Sequence, residues 1–440
     1  MRLSLPVFLE LLISSLFGMV DMMMVGNSGS PEITTPSIAA TGITNQLVFI
    51  AIALAQALSA GGTAMISRYS GAREDEKIGP VVRHVLLLNL ALIGLPFLVL
   101  TQARPVELMA FIGAQADTIA IGLKYLKIIG LGFVFQALNL AIFASMRGVG
   151  DTRTPMLINI GVNLLNVFGN YILIFGRLGL RPLGLTGAGI STSLSHLLAF
   201  LILLMLLARK ESSLKLGPGQ GLRPNGKILK NLLRIGGPAA LEQVGFRLGV
   251  VVFIKIVSGL GTAAYATHQI ASNIISLSFA PGQAFGIAAS TLVGRSLGEG
   301  RLDRAENFIK KSNRLALASS ALFFLIFYFL GPSLVGLYSR DPEILGLSQN
   351  VMKLIALIQP FQASAFAISG GLRGAGDTVS TLIVTIIGVF IIRIGLAHIL
   401  IRELELGLVG AWLAMLADQI IRWLGIGLRY RQGRWKEIEL

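Results

Sequence analysis

The sequence predicts an all-α, polytopic membrane protein of about twelve transmembrane helices in two parallel six-helix repeats. Three observations carry this prediction. Charge is scarce along the whole chain, Lys and Arg gather in alternate loops, and four short segments recur in the same order in both halves.

Of 440 residues, 54% are hydrophobic and 13% are charged. A soluble domain carries about 25% charged residues. A deficit this large over so long a chain points to lipid, not to a larger core. Crossing a bilayer takes about 20 mostly apolar residues. Such runs predict helices at 5–25, 37–64, 79–100, 116–146, 155–176, 187–208, 236–258, 264–292, 305–330, 345–371, 378–400 and 408–428. The first run reaches Asp21 and Gly26 with no small-x-small cleavage site. It therefore reads as a spanning helix and not as a signal peptide.

The net charge of +15 would suggest nucleic acid in a soluble protein. Here its position decides. Loops on one face hold Arg68, Arg73, Lys77, Arg147, Arg153, Arg295, Arg301, Arg304 and Arg373. Loops on the other hold only Arg104, Arg177, Arg181, Arg340 and Arg402. The positive-inside rule places the first set, both termini and the stretch 209–234 in the cytoplasm of a cell with the protein in its inner (plasma) membrane. The bilayer is then the partner of the basic charge, and no nucleic acid is expected. With no cysteine, there is neither a disulfide nor a thiolate site.

The stretch 209–234 is polar, basic and rich in Gly, Pro and Ser. It reads as a cytoplasmic linker between an N-terminal lobe (1–208) and a C-terminal lobe (235–440). Pro6-Val-Phe-Leu-Glu10 resembles Pro238-Ala-Ala-Leu-Glu242, and Ser67-Arg68-Tyr-Ser-Gly71 resembles Gly294-Arg295-Ser-Leu-Gly298. Arg147-Gly-Val-Gly-Asp-Thr152 matches Arg373-Gly-Ala-Gly-Asp-Thr378, and Gly184-Leu-Thr-Gly-Ala188 matches Gly407-Leu-Val-Gly-Ala411. The offsets are 232, 227, 226 and 223 residues. Four pairs in register indicate a duplication. Each half has an even number of helices, so both enter the membrane in the same orientation. Parallel repeats of this kind are a transporter architecture with alternating access. The Arg-Gly-x-Gly-Asp-Thr turns read as structure: Gly ends one helix, Asp or Thr caps the next, and Pro155 suits its first turn.

Ionisable residues inside a membrane are costly and usually functional. The candidates are Glu10, Asp21 and His196 in the first half. The second half has Glu242, Arg247, Lys255, Arg393, His398, Asp418 and Arg422. Asn163, Asn166 and Asn170, spaced i, i+3 and i+7, fall on one helix face. Asp21, Asn170 and Thr192 share one depth in the outer half of the first lobe, with Asn166 one turn deeper. A carboxylate among amide and hydroxyl oxygens can take up a proton or offer hard ligands to a small cation. It can also simply tie helices together. The second lobe has Phe253 where the first has Asp21. Glu242 reads equally as structural or as cavity lining, and Gln362 as cavity lining. Asp418 and Arg422 are spaced to pair near the cytoplasmic end. His196 and His268 read as structural, Pro281 as a kink, and Met22-Met23-Met24 as packing.

With these residues in place, the chain resembles the multidrug and toxic compound extrusion (MATE) family over essentially its whole length, and most of all the DNA-damage-inducible F-type branch. The carriers are Pro6 through Val20-Asp21 and Val25-Gly26, the two Arg-Gly-x-Gly-Asp-Thr turns, Asn166-Val-Phe-Gly-Asn170 with Tyr-Ile-Leu-Ile-Phe-Gly176, and Pro238-Ala-Ala-Leu-Glu242. The resemblance implies a V-shaped pair of six-helix bundles. It implies a monomer that exports small amphipathic, often cationic, compounds in exchange for protons or sodium, without a cofactor and without enzymatic activity. It makes the acid at Asp21 the principal protonation site. It makes Pro6 the point where the first helix bends, and Asp21, Asn166, Asn170 and Thr192 the ligands if sodium is the coupling ion. His196, Asn163, Glu242, Arg247 and Gln362 are candidates for cavity or gating roles. Two departures favour protons. Asn170 stands where some members carry a second acid, and Phe246 and Gln362 stand where another branch carries acids. The rival readings are a lipid-linked oligosaccharide flippase of the same superfamily and a membrane-embedded enzyme. The latter lacks a metal or nucleophile constellation in the sequence.

Overall fold

A computed structural model of the chain describes residues 3–28, 31–209, 214 and 225–438. The described residues are almost all helical, and none lies in a strand. The first half comprises α1 (Ser4–Gly26), α2 (Pro31–Ala72), α3 (Asp75–Ala103), α4 (Pro105–Phe111), α5 (Ala116–Gly148), α6 (Arg153–Phe175) and α7 (Gly184–Ala208). The second comprises α8 (Gly226–Ser258), α9 (Thr262–Leu277), α10 (Phe279–Gly298), α11 (Leu302–Gly336), α12 (Pro342–Ala375), α13 (Thr378–Arg402) and α14 (Gly407–Gln432). Two of them change pitch internally, with π-helical stretches at Leu90–Gly94 in α3 and Ile387–Ile394 in α13.

Among the described residues, ten helices are long and apolar enough to cross a membrane. The other two of the twelve predicted spans are α8 and the α9–α10 pair. α8 carries Lys227, Lys230, Arg234, Glu242, Arg247 and Lys255. The span predicted at 264–292 is two helices that meet at Ser278. Pro281 accounts for the break. Its ring clashes with the carbonyl four residues earlier, which is Leu277, the last residue of α9.

The segment read as a linker is shorter than predicted. Residues 210–213 and 215–224 lie outside the described residues, and with them Lys210, Lys215 and Arg223. From Gly226 the chain is already helical, so Lys227, Lys230 and Arg234 stand on α8. Asn225 starts that helix by accepting from the Lys227 N–H at 2.9 Å. Leu232 and Ile235 are buried and fix one face of the extension.

The chain forms two compact units, one of residues 9–233 and the other of residues 234–440 together with Leu3–Phe8. In the first, α5 packs on α2, α3 and α7, and α6 packs on α7. Its core includes Tyr125, Leu126, Phe133 and Ile174, with the Phe97 ring 4.5 Å from that of Phe133. In the second, α12 packs on α9, α10, α11 and α14 around Phe253, Phe327, Met352 and Trp412. The central helices α5 and α12 are thus the two that end in the repeated Arg-Gly-x-Gly-Asp-Thr turn. The Met22–Met24 run is only partly packing. Met22 and Met23 are exposed, and Met24 alone reaches the core. Lipid solvates apolar side chains, so an outward methionine costs nothing in a membrane.

Both turns are built as the sequence predicts. Gly150 and Gly376 each adopt φ +93°, a left-handed conformation that ends the preceding helix. Asp151 then accepts from the N–H groups of Arg153 and Thr154 at 3.1 and 3.0 Å, and Asp377 accepts from that of Ser380 at 3.4 Å. Forcing a Cβ into the left-handed region costs about 1–2 kcal/mol. Gly376→Ala should therefore lower the thermal unfolding midpoint of the solubilised protein. Gly346→Ala, in the open face of α12, should not.

Candidate functional site

Asp21 lies five residues before the end of α1 and faces α6. Asn170 donates to its Oδ1 at 2.8 Å. The Asn166 amide, one turn deeper, has its nitrogen toward Asp21, 2.8 and 3.0 Å from the carboxylate oxygens. Its oxygen then accepts from the hydroxyl of Thr192 at 2.9 Å and from the Thr192 N–H at 3.2 Å. The opposite orientation would set an amide oxygen against a carboxylate. Ser191 holds α7 in place by donating to the Asn166 carbonyl at 2.8 Å. Asp21, Asn170 and Thr192, predicted to share one depth, and Asn166, predicted one turn deeper, are therefore joined. The amide oxygen of Asn170 is buried and, among the described residues, has no hydrogen-bond partner.

A second polar cluster occupies the same α1–α6 seam nearer the start of α1. Arg147 donates to Glu10 at 2.6 Å, and Asn159 donates to the same oxygen at 3.5 Å. Ser14 donates to Asn159 Oδ1 at 3.0 Å, and Asn163 does so at 2.6 Å. Asn163 thus belongs with Glu10 and not with Asp21, although it shares their face of α6. Pro6 sits in the first turn of α1, where a missing N–H costs no helical hydrogen bond. His196 lies on α7 outside both clusters, and its carbonyl accepts from Asn139 at 3.0 Å.

In the second unit, Glu242 repeats the Glu10 arrangement. Arg373 donates to Glu242 at 2.7 Å, Thr381 at 2.9 Å and Thr385 at 3.1 Å. Both glutamates are buried, at 4% and 6% exposure. Each pairs with the arginine of its own glycine turn, across 137 and 131 residues of chain. The sequence held the signal, since both partners recur in the duplication, but their pairing is a long-range fact that no local spacing states. Asp418 and Arg422 do pair, at 3.0 Å. However, Asp418 lies in the middle of α14 and not near its end, and it is shared with Arg393, which donates from Nε at 3.0 Å and from Nη2. Spacing along one helix could not reveal a partner on α13. Phe253, the counterpart of Asp21, is buried with the Arg393 guanidinium 5.7 Å from its ring. Gln362 is buried with its amide oxygen unpartnered, while Arg247 is exposed on α8.

Among the described residues, no three His, Cys, Asp or Glu side chains converge as a metal site. A cation at Asp21 would be held by one carboxylate and by amide and hydroxyl oxygens.

The sequence profile of the MatE family matches residues 6–172 and 238–399. A probable multidrug resistance protein NorM of Thermotoga maritima is 31% identical over 437 residues, spanning 99% of this chain and 92% of the relative. The uncharacterized transporter YisQ of Bacillus subtilis is 27% identical, spanning 98% of this chain and 93% of its own length. A solved structure of a multidrug resistance MATE family transporter of the MOP superfamily, in an outward-facing conformation, superposes with a TM-score of 0.89 at 24% identity. It covers 100% of this chain and 96% of that one. The all-α, polytopic fold is thereby the one shared with these transporters.

Removing one partner of a buried ion pair strands the other and costs about 3–5 kcal/mol. Glu10→Gln and Glu242→Gln should each lower the unfolding midpoint markedly. Adding Arg147→Gln to the first and Arg373→Gln to the second should recover part of the loss. Additive losses in both double-mutant cycles would contradict the pairing.

Proposed function

Because the chain belongs to the MatE family, we propose that it is a secondary transporter of the plasma membrane that exports small amphipathic, often cationic, compounds by proton antiport. Asp21 is the coupling carboxylate, and access to the cargo alternates between the two sides. Relatives named as multidrug resistance proteins support export of varied compounds. The single chain, carrying both repeats, is taken as the functional unit, with both termini in the cytoplasm.

The observation that carries this reading is the kind of partner Asp21 has. Glu10, Glu242 and Asp418 are each bound by arginine. Asp21 is bound by neutral amides. An ionised carboxylate only accepts hydrogen bonds, whereas a protonated one also donates. The buried, unpartnered oxygen of Asn170 offers an acceptor for that donated proton once the amides turn. Protonation from outside would thus rearrange the α1–α6 seam without stranding a charge. Loss of the proton toward the cytoplasm would restore it.

Sodium is the second reading, favoured by the oxygen content of the same cluster. Asp21, Asn166, Asn170 and Thr192 provide hard ligands. To use them, the ion would require both amides to present oxygen in place of the nitrogen they now direct at Asp21.

In proteoliposomes with independently imposed proton and sodium gradients, Asp21→Asn should abolish gradient-driven export while leaving cargo binding within a few-fold of wild type. Full export by this variant would overturn the assignment. A second acid in the cluster strengthens a cation site, so Asn170→Asp should add a sodium requirement. Equal transport with and without sodium in that variant would count against the ligand set.

A further inference from the structure

The charge balance of the second unit is opposite to that of the first. Along the α1–α6 seam there are two carboxylates and one arginine: Arg147 binds Glu10, while Asp21 is bound by amides. In the second unit, one carboxylate serves two guanidiniums. Asp418 binds Arg393 through Oδ2, and its Oδ1 lies 3.0 Å from Arg422 Nε. Glu242 does not restore the balance, because it is paired with a third guanidinium, Arg373, so that two carboxylates stand against three guanidiniums. One positive charge is therefore left over in a low-dielectric setting, where an unmatched charge is costly.

The surplus has an open side. The side chains of Arg393 and Asp418 are sealed at 3% and 0% exposure, but that of Arg422 is 17% exposed and, among the described residues, makes no other ion pair. Arg422 and Arg393 both lie on the Phe246 ring, 5.6 and 5.8 Å from its centre. The next residue, Arg247, is exposed and makes no ion pair among the described residues, and it stands among exposed Val244, Leu248, Val251 and Val252 of the same helix. The backbone is specialised at the same place. Arg393 belongs to the π-helical stretch of α13, an irregularity common at functional sites. Gly388 in that stretch has no room for a side chain against Asp418 and Arg422. A triad that only braced helices would need neither a surplus charge nor a cationic, apolar face beside it.

We propose that this face of the second unit binds the carboxylate of amphipathic cargo, with Arg422 and Arg247 as charged contacts and Phe246, Leu248 and Val251 as apolar ones. The preferred cargo is then a compound that carries a carboxylate beside its apolar or cationic body. The proposal rests on the export reading for the identity of the ligand as cargo, and not on the coupling ion.

The test uses the purified full chain without any gradient. Fluorescence anisotropy is measured with rhodamine 110, a xanthene dye with a free carboxylate, and with rhodamine 123, its methyl ester. A charge-assisted contact made by only one of the pair should favour it about tenfold. Arg422→Gln and Arg247→Gln should each cut binding of the acid about three- to tenfold and leave the ester unchanged. Arg422→Lys should retain most of the preference. Arg422→Gln leaves Arg393 and Asp418 as a matched pair, and Arg247 is exposed, so unchanged unfolding midpoints certify both variants. Equal affinities in the wild type, a preference for the ester, or equal weakening of both dyes would overturn the proposal. So would an acid-to-ester ratio that collapses to one in phosphatidylglycerol nanodiscs but not in phosphatidylcholine, since that assigns the face to lipid headgroups. Asp21→Asn should keep the ratio even where it stops export, so failure of the coupling assignment and failure of this site read out separately.

Discussion

A carboxylate withdrawn into a bilayer must find its partner inside the chain, and the Glu–Arg pair at the glycine turn meets that demand in both units. Glu10 sits on α1 and Glu242 on α8, each four residues after a proline. Arg147 and Arg373 sit at the ends of α5 and α12, the helices on which the rest of each unit packs. The pair therefore ties the first helix of each repeat to its central helix. It does so beside a turn that already needs a left-handed glycine and an aspartate cap. Helix termination, capping and charge pairing converge on one stretch of six residues. That convergence explains why this stretch is the most alike between the halves.

Away from those pairs the two units diverge in how they handle charge. The first uses amides: Asn159 and Asn163 extend the Glu10 cluster, and Asn166 and Asn170 surround Asp21. The second uses hydroxyls and rings: Thr381 and Thr385 close around Glu242, and Phe246 and Phe253 accept the guanidinium of Arg393. Amides donate or accept according to which way they face, whereas an aromatic face only accepts a cation. The first unit thus keeps a polar environment that can be reversed, and the second fixes one of positive sign.

Much of this was legible in the sequence. The all-α membrane class follows from composition. The Asp21 cluster follows from depth and helical spacing, because Asn166 and Asn170 are one turn apart on one face and Thr192 enters from a helix of known direction. The Asn170–Asp21 contact crosses 149 residues, yet it was predictable, since depth in a membrane supplies a coordinate that a soluble chain lacks. The residues that escaped are those whose partner depends on rotation about a helix axis. Arg147 is at the right depth to mark a cytoplasmic end, but depth alone does not say that it turns inward to Glu10. Asp418 has a partner in its own helix at i+4, which hid the stronger contact from Arg393. The early start of α8 was missed for a different reason. Pro224-Asn225-Gly226 reads as a turn by composition, yet Asn225 is the cap of a helix.

These partners also separate the buried carboxylates by what each can do. A proton delivered to Glu242 would neutralise it and leave Arg373 charged in a low-dielectric setting. A proton delivered to Asp418 would leave two guanidiniums without an anion. Either event carries the penalty of an unmatched charge. A proton delivered to Asp21 strands nothing. Asn166 and Asn170 are neutral, and each can exchange a donated hydrogen bond for an accepted one by turning its amide. Burial alone would rank Glu10, Glu242 and Asp418 above Asp21 as ionisable sites of interest. The chemistry of the partner reverses that order, because a coupling group must gain and lose its charge at little cost to its surroundings.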